Sequence, residues 1–386
     1  MTASQTGFER RVLGVLDATP SRIPVIVGGC GTGRTFLVNR LRDRIGRTHA
    51  QYLDVERSAT TPERFLQAVV ASTPLMPMDA RRAPATARAA FDALLAFLDT
   101  TRAPGGTPAT FLVDEFLELR TFESFPGLRH VLREMLDAIA QSGNRFVLTT
   151  RYVTRALRVL RDSSSRFEVM PMPPLAAPDV AAMLEPAFAS NPIPADDLDY
   201  LGRAVQAMTD GRASYVCAIR DHMAATHGRG TDPISALAAL LSSDGMLWTW
   251  CRFCYELRLH RARGYGALKA ILDILAEDES LTLTEISQRL HRTPGSTKDY
   301  LSWLEDVDLV TARQKRYSFA DPLLRLWVRL HCRPTPPSED DVVREVQRYA
   351  ISRLPQPDPA PVMAMAGGGD EASHEDRKDW GIIEID

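Results

Sequence analysis

Ile23-Pro-Val-Ile-Val-Gly-Gly-Cys-Gly-Thr-Gly-Arg-Thr-Phe-Leu37 decides how the rest of the chain folds. Val25 to Val27 is a short apolar run that reads as a buried strand, Gly28 to Gly33 a glycine-rich turn, and Thr35 to Leu41 the start of a helix. Strand, loop and helix in that order make a phosphate-binding loop: glycines let backbone N–H groups close around an anion, and the helix adds its positive end. The spacing Gly28-x-x-x-x-Gly33-Arg34-Thr35 fits the pattern except at Arg34, where a lysine is expected. Gly28, Gly29, Cys30, Gly31, Thr32, Gly33, Arg34, Thr35 and Phe36 are therefore the candidate nucleotide contacts, and Thr35 the candidate hydroxyl ligand of Mg²⁺. Arginine is a planar fork rather than a compact point charge, so its geometry must differ from that of lysine. Lysine is absent before Lys269, so the chain uses arginine almost everywhere.

A second stretch acquires meaning from the first. Pro108-Ala-Thr-Phe-Leu-Val-Asp-Glu-Phe116 carries an apolar strand into two acids, about 80 residues after the loop. In that position Asp114 is expected to hold Mg²⁺ with Thr35, and Glu115 to activate water. His49–Val55, Arg145–Thr150 and Phe167–Met170 complete five strands, with helices between them, so a mostly parallel α/β sheet is expected up to about residue 172. From Pro178 the strands stop and short helices with polar breaks follow, which suits a helical lid.

The last unit begins near Gly264. Helices over Ala267–Ala276, Glu285–Leu290 (Thr284 as its cap) and Pro294–Leu304 lead into a two-stranded wing, Leu309–Phe319. That is a winged helix, whose third helix commonly enters the DNA major groove. Candidate DNA contacts are Arg292, Ser296, Thr297, Lys298 and Tyr300 on that helix, with Arg313, Lys315 and Arg316 on the wing. Residues 264–333 hold ten basic and ten acidic side chains, so this is no basic module, and a protein-binding role is the alternative. The implied domains are 1–174, 175–263, 264–333, and a linker with a mostly disordered acidic tail over 334–386, in which a short helix is read at 340–354. The closing Trp380-Gly-Ile-Ile-Glu-Ile-Asp386 can dock on a protein partner as a short strand.

Whole-chain properties narrow the classes. A net charge of −3 over 386 residues announces no general affinity for nucleic acid. The first residues lack an export signal's apolar core and no run of eighteen apolar residues occurs, so a cytoplasmic, non-membrane protein is expected. Five cysteines agree with a reducing compartment. Cys251 and Cys254 read as a buried helical pair, with a thiol-redox or metal role as the alternative.

Together the loop, Asp114-Glu115, Thr150-Arg151 and Tyr317-Ser-Phe-Ala-Asp-Pro-Leu-Leu-Arg-Leu-Trp327 resemble the archaeal-type P-loop ATPases near the origin-recognition and STAND branches of the AAA+ class. The resemblance covers residues 8–332 and implies a five-stranded sheet in the order 5-1-4-3-2, a helical lid, a C-terminal winged helix, and ATP with Mg²⁺ between sheet and lid. It further implies that Thr150 senses phosphate. Ser163-Ser-Ser-Arg-Phe167 resembles the family's Ser-Arg-aromatic box, which makes Arg166 the candidate arginine finger of a homo-oligomer. Thr209-Asp-Gly-Arg-Ala-Ser-Tyr215 resembles the lid turn imperfectly and leaves the lid's sensor unassigned. The leading expectation is an ATP-dependent switch acting on DNA. A weakly hydrolysing scaffold or signalling adaptor with protein partners is the alternative.

Overall fold

In the computed structural model, which describes residues 3–75, 85–188, 192–226, 232–260 and 264–354, five parallel strands form the central sheet. They are β1 (Ile23–Val27), β2 (Ala50–Asp54), β3 (Thr110–Asp114), β4 (Arg145–Thr150) and β5 (Phe167–Pro171). Their order is 2-3-4-1-5, the same as 5-1-4-3-2 seen from the other edge. Strands covered on both faces need apolar residues at nearly every position, which is what the uninterrupted runs supply. Ile26, Leu112, Val147 and Met170 point to one face, under α1 (Ala3–Leu16) and α2 (Arg34–Ile45). Val25, Val113, Phe111, Phe146 and Leu148 point to the other. There they meet α4 (Pro62–Ala71), α5 (Ala87–Thr100) and α6 (Val131–Gln141), while a single turn, α3 (Val55–Ser58), follows β2. The order puts β1 between β4 and β5, so the loops after β1, β3 and β4 converge at one sheet edge.

The chain then adds α7 (Val153–Leu160), which the apolar spacing alone did not reveal, and five lid helices. These are α8 (Ala177–Leu184), α9 (Ala195–Thr209), α10 (Ala213–Ala225), α11 (Pro233–Leu241) and α12 (Met246–His260). The winged helix comprises α13 (Tyr265–Glu277), α14 (Leu283–Arg289) and α15 (Pro294–Asp306). Its sheet has three strands rather than two: β6 (Leu281–Thr282) joins β7 (Val310–Arg313) and β8 (Arg316–Phe319) in the order 6-8-7. The cap of α14 is Thr282, not Thr284. Thr282 and Glu285 close a reciprocal capping box, and Thr284 lies inside the helix.

Two helices end the described chain, α16 (Pro322–His331) and α17 (Glu339–Ile351). The short helix read at 340–354 is α17, and it packs on the body of the protein rather than standing in a linker. Val342, Val346 and Ala350 are buried, Tyr349 donates to the Met208 carbonyl at 2.6 Å, and Arg329 pairs with Glu345 at 3.0 Å. α17 therefore ties the lid to the winged helix, and residues 1–354 form one unit. The tail, 355–386, and with it the expected partner-docking segment, lies outside the described residues. Among the described residues no helix is long and apolar enough to cross a membrane.

Candidate nucleotide site

Gly28 to Gly33 leaves β1 and enters α2 with Gly31 at φ 78° and Gly33 at φ 91°, left-handed values that favour glycine. Gly29 also lets the Arg212 guanidinium approach: a Cβ there would lie 2.9 Å from Arg212 Nη1, which would have to move. The loop's carbonyls are occupied. Gly29 O accepts from Arg34 at 2.7 Å and from the Thr32 hydroxyl at 3.0 Å, Cys30 O from Arg212 at 2.8 Å, and Gly31 O from the Ser214 amide at 2.9 Å. By contrast, among the described residues the N–H groups of Gly29, Cys30, Gly31 and Gly33 have no protein acceptor. Open donors at a helix N-terminus fit a phosphate group.

Across the loop stands the acidic pair. Asp114 Oδ2 accepts from the Thr35 hydroxyl at 2.9 Å and from Tyr52 at 2.8 Å, while Thr149 donates to Oδ1. A threonine hydroxyl touching a carboxylate oxygen is the hard-oxygen donor set that Mg²⁺ takes, so Thr35 and Asp114 fit that ion. Burial and the neighbouring Asp114 push the Tyr52 phenol up, so it stays protonated and donating.

Glu115 is held differently. It has φ 55° at the end of β3, which turns its carboxylate beneath the loop. Oε1 accepts from Arg34 Nη2 at 2.6 Å and Oε2 from the Arg151 amide at 3.0 Å. Arg151 Nε adds an ion pair at 3.2 Å, without hydrogen-bond alignment. Burial pushes the Glu115 carboxyl up, but the Arg34 and Arg151 guanidinium groups outweigh it and hold it below the usual range. A carboxylate with both oxygens engaged and its charge neutralised is a poor base. In this arrangement Glu115 is the counter-ion of Arg34 and Arg151.

Arg34 explains the departure from lysine. Its fork spans Gly29 O and Glu115 Oε1, and only 8% of the residue is exposed. A single ammonium does not present two donors in that fixed geometry. Arg34 Nε is buried without a partner, an unmet donor beside the loop.

Two further arginines come from the lid and were not singled out by the sequence. Arg212, just before α10, donates through Nη1 to Cys30 O at 2.8 Å and through Nη2 to Ala320 O at 2.7 Å, with Asp321 at 3.3 Å. Arg258, on α12, donates through Nη2 to Cys30 Sγ at 2.9 Å and through Nη1 to Asp308 O at 2.8 Å. Ala320 and Asp308 belong to the winged helix, so each guanidinium bridges the loop and that domain. Arg212 sits in the imperfect Thr209–Tyr215 turn, the one signal that pointed toward it. For Arg258 the sequence offers none, since a cationic side chain on an amphipathic helix reads as surface.

Other expected site residues are placed as follows. Thr150 is buried beside the loop: its carbonyl accepts the Gly28 amide at 3.3 Å, and its hydroxyl accepts the Tyr152 amide at 3.2 Å. It is Thr149 that touches Asp114. Arg166 does not extend outward as a finger. Nε donates to Ser21 O at 3.1 Å, and Nη1 to Ala140 O at 2.6 Å and Ser142 O at 3.2 Å, all in its own chain. Phe36 is exposed on α2.

On the winged helix, Lys298, Arg313, Lys315 and Arg316 are exposed, and Arg292 lies over the Tyr300 ring at 5.6 Å. Arg316 also donates to Ser280 O at 2.6 Å. Thr297 is corrected: it is fully buried and its hydroxyl donates to Thr293 O at 3.0 Å, so it reads no base. Ser296 is half-buried, with its amide capped by Thr293 Oγ1 at 3.4 Å. The far end of α15 is docked on the core, where Arg158 grips Asp306 at 2.9 and 2.8 Å.

A family model described as winged helix-turn-helix, DNA-binding, matches residues 267–311. Among curated proteins, no sequence matches the chain. Among solved structures, a Walker-type ATPase of Pyrococcus abyssi aligns with a TM-score of 0.63 and 15% identity, over 84% of this chain and 95% of that one. The Orc1 protein of Aeropyrum pernix, solved in complex with DNA, aligns with a TM-score of 0.45 and 17% identity, over 92% of this chain and 94% of that one. The fold is that of a P-loop ATPase, with a helical lid and a C-terminal winged helix.

Proposed function

We propose that the chain is a nucleotide-governed switch in which a lid-borne pair of arginines carries the state of the loop to a DNA-binding winged helix. The observation that supports this most directly is the double attachment of Arg212 and Arg258, one hand on Cys30 and the other on Ala320 or Asp308. Gly28 to Phe36 would hold the phosphates of ATP, with Thr35 and Asp114 on Mg²⁺. The bound nucleotide supplies a multiply charged anion at the loop. Three of the four hydrogen bonds made by Arg212 and Arg258 go to neutral carbonyls, with Asp321 beside Arg212 at 3.3 Å, whereas bonds to an anion are roughly twice as strong. Drawn toward the loop, they release Ala320 and Asp308 and loosen the winged helix, leaving the Arg158–Asp306 pair as its hold on the core. Lys298, Arg313 and Lys315 then meet duplex phosphates as exposed point charges.

Hydrolysis is slow in this account, because Arg34 and Arg151 occupy Glu115. That pairing favours the weakly hydrolysing reading, in which ATP is held rather than rapidly consumed. Hydrogen exchange over residues 305–325, with and without ATP–Mg²⁺, tests the switch. Faster exchange with nucleotide is expected. Unchanged exchange in protein shown to bind ATP would reject it.

A further inference from the structure

Cys30 sits in the nucleotide loop and Cys254 on the lid helix α12, 224 positions later, yet one guanidinium, that of Arg258, brings the two neighbourhoods together. Arg258 follows Cys254 by one helical turn, on the same face, and donates to Cys30 Sγ at 2.9 Å. Cys251, the sequence neighbour of Cys254, is buried and faces Tyr215 instead. The working pair joins two domains.

The two sulfurs are also unequal. The hydrogen bond from Cys254 holds the Cys30 thiol well below its ordinary range; burial opposes this, and the guanidinium groups of Arg258, Arg151 and Arg34 assist. The same hydrogen bond, together with burial, pushes the Cys254 thiol up. The Arg258 guanidinium falls on Cys30 Sγ and so favours negative charge there, the asymmetry of an attacking and a resolving cysteine.

We propose that Cys30 and Cys254 are a peroxide-sensing pair whose reversible disulfide fastens α12 to the nucleotide loop. The Cys30 thiolate attacks one oxygen of hydrogen peroxide, the O–O bond breaks, and Cys30 becomes a sulfenic acid as hydroxide leaves. Cys254 gives its proton to that hydroxide, forming water. Its sulfur then attacks the Cys30 sulfur and displaces the second hydroxide. The cysteines lose two electrons and peroxide gains them. The products are one disulfide, one water and one hydroxide, and a dithiol reductant reverses the step. With the bond made, Arg258 loses its thiolate acceptor and the loop cannot part from the lid. The consequence for nucleotide rests on the proposed role of the loop; formation of the bond does not.

The test treats the full chain with hydrogen peroxide, maps disulfides by peptide mass spectrometry, and measures binding of a fluorescent ATP analogue before oxidation, after it, and after dithiothreitol. A Cys30–Cys254 linked peptide is expected as the main product, with Cys217 and Cys251 still free and nucleotide affinity reduced at least tenfold until the reductant is added. Cys254→Ser should bind nucleotide normally when reduced, keep its affinity in peroxide, and accumulate sulfenic acid at Cys30 that dimedone traps. A Cys251–Cys254 product, or Cys30 reacting no faster than Cys217, would overturn the proposal, as would a Cys30–Cys254 bond that leaves nucleotide affinity unchanged. If the reduced protein binds no nucleotide while the linked peptide still forms, the disulfide stands and the nucleotide function falls.

Discussion

The two edges of the parallel sheet use arginine in opposite ways. At the edge where β1 and β5 begin, Arg166 places its guanidinium on three backbone carbonyls of the core, fixing Ser21, Ala140 and Ser142 to one another. At the edge where β1, β3 and β4 end, Arg34, Arg151, Arg212 and Arg258 engage carboxylates, a sulfur and carbonyls, and two of the four reach another domain. A guanidinium enclosed by one domain can only hold it together. One shared between a ligand loop and a separate domain can change hands.

The largest effect is expected from Arg34→Ala. It leaves Glu115 buried with half its compensation, and breaking a buried pair costs about 3–5 kcal/mol. Urea unfolding reads this directly. A loss well under 1 kcal/mol would mean that the pair is solvated and that Glu115 is free to act as a base.

Arg166→Ala comes next, at about 2–3 kcal/mol, because carbonyls lose a charged donor. Nucleotide affinity of the folded protein should be unchanged. Mixing the variant with wild type should leave turnover simply additive. Poisoning of wild-type turnover by the variant would restore Arg166 as a finger acting between subunits.

Asp308, whose backbone carbonyl receives Arg258, sharpens the comparison through pH. Burial pushes its carboxyl up to about 6 despite Arg258 and Arg212. The folded form therefore binds this proton more tightly than the unfolded chain, and stability from this group is complete below about pH 4 and lost as pH rises through about 6. Asp308→Asn should then stabilise by roughly 1 kcal/mol at pH 7.5, with the gain fading between pH 6 and 4. Thermal melts across that range check it, and a gain independent of pH would reject the assignment.

The smallest effects concern the wing. Lys315→Ala should lower the salt slope of duplex binding by about one. Thr297→Ser should leave duplex affinity unchanged, since that hydroxyl is buried against Thr293. Equal salt slopes for Lys315→Ala and wild type would remove the wing from the interface.

What the sequence revealed and what it hid follow one physical line. Val25-Ile-Val27, Phe111-Leu-Val113 and Arg145–Thr150 announced themselves because parallel strands buried on both faces must be apolar throughout. Gly31 and Gly33 were legible because their backbone angles suit glycine. Local chemistry writes a local pattern. The acidic pair lies at the end of β3 facing the loop, as its apolar run foretold, but the pairing of Glu115 depends on Arg34 and Arg151, whose side-chain directions no spacing encodes. Arg212, Arg258 and Cys254 reach Cys30 only after the lid has folded over the sheet, across more than 180 residues, and so left almost no trace in the sequence. Helix α17 was visible as a helix, yet its burial against the lid was not, because a helix with many charged residues reads as linker until its partner face is known.

The most direct measurement of the central claim is duplex affinity with and without ATP–Mg²⁺, for wild type and for the Arg212→Ala, Arg258→Ala double variant, at one fixed salt concentration. Nucleotide is expected to tighten wild-type DNA binding about tenfold or more, a shift of about 1.4 kcal/mol. The double variant is expected to bind DNA tightly from the start and no longer respond. Equal nucleotide responses in the two proteins, or no response in a wild type shown to bind ATP, would contradict it.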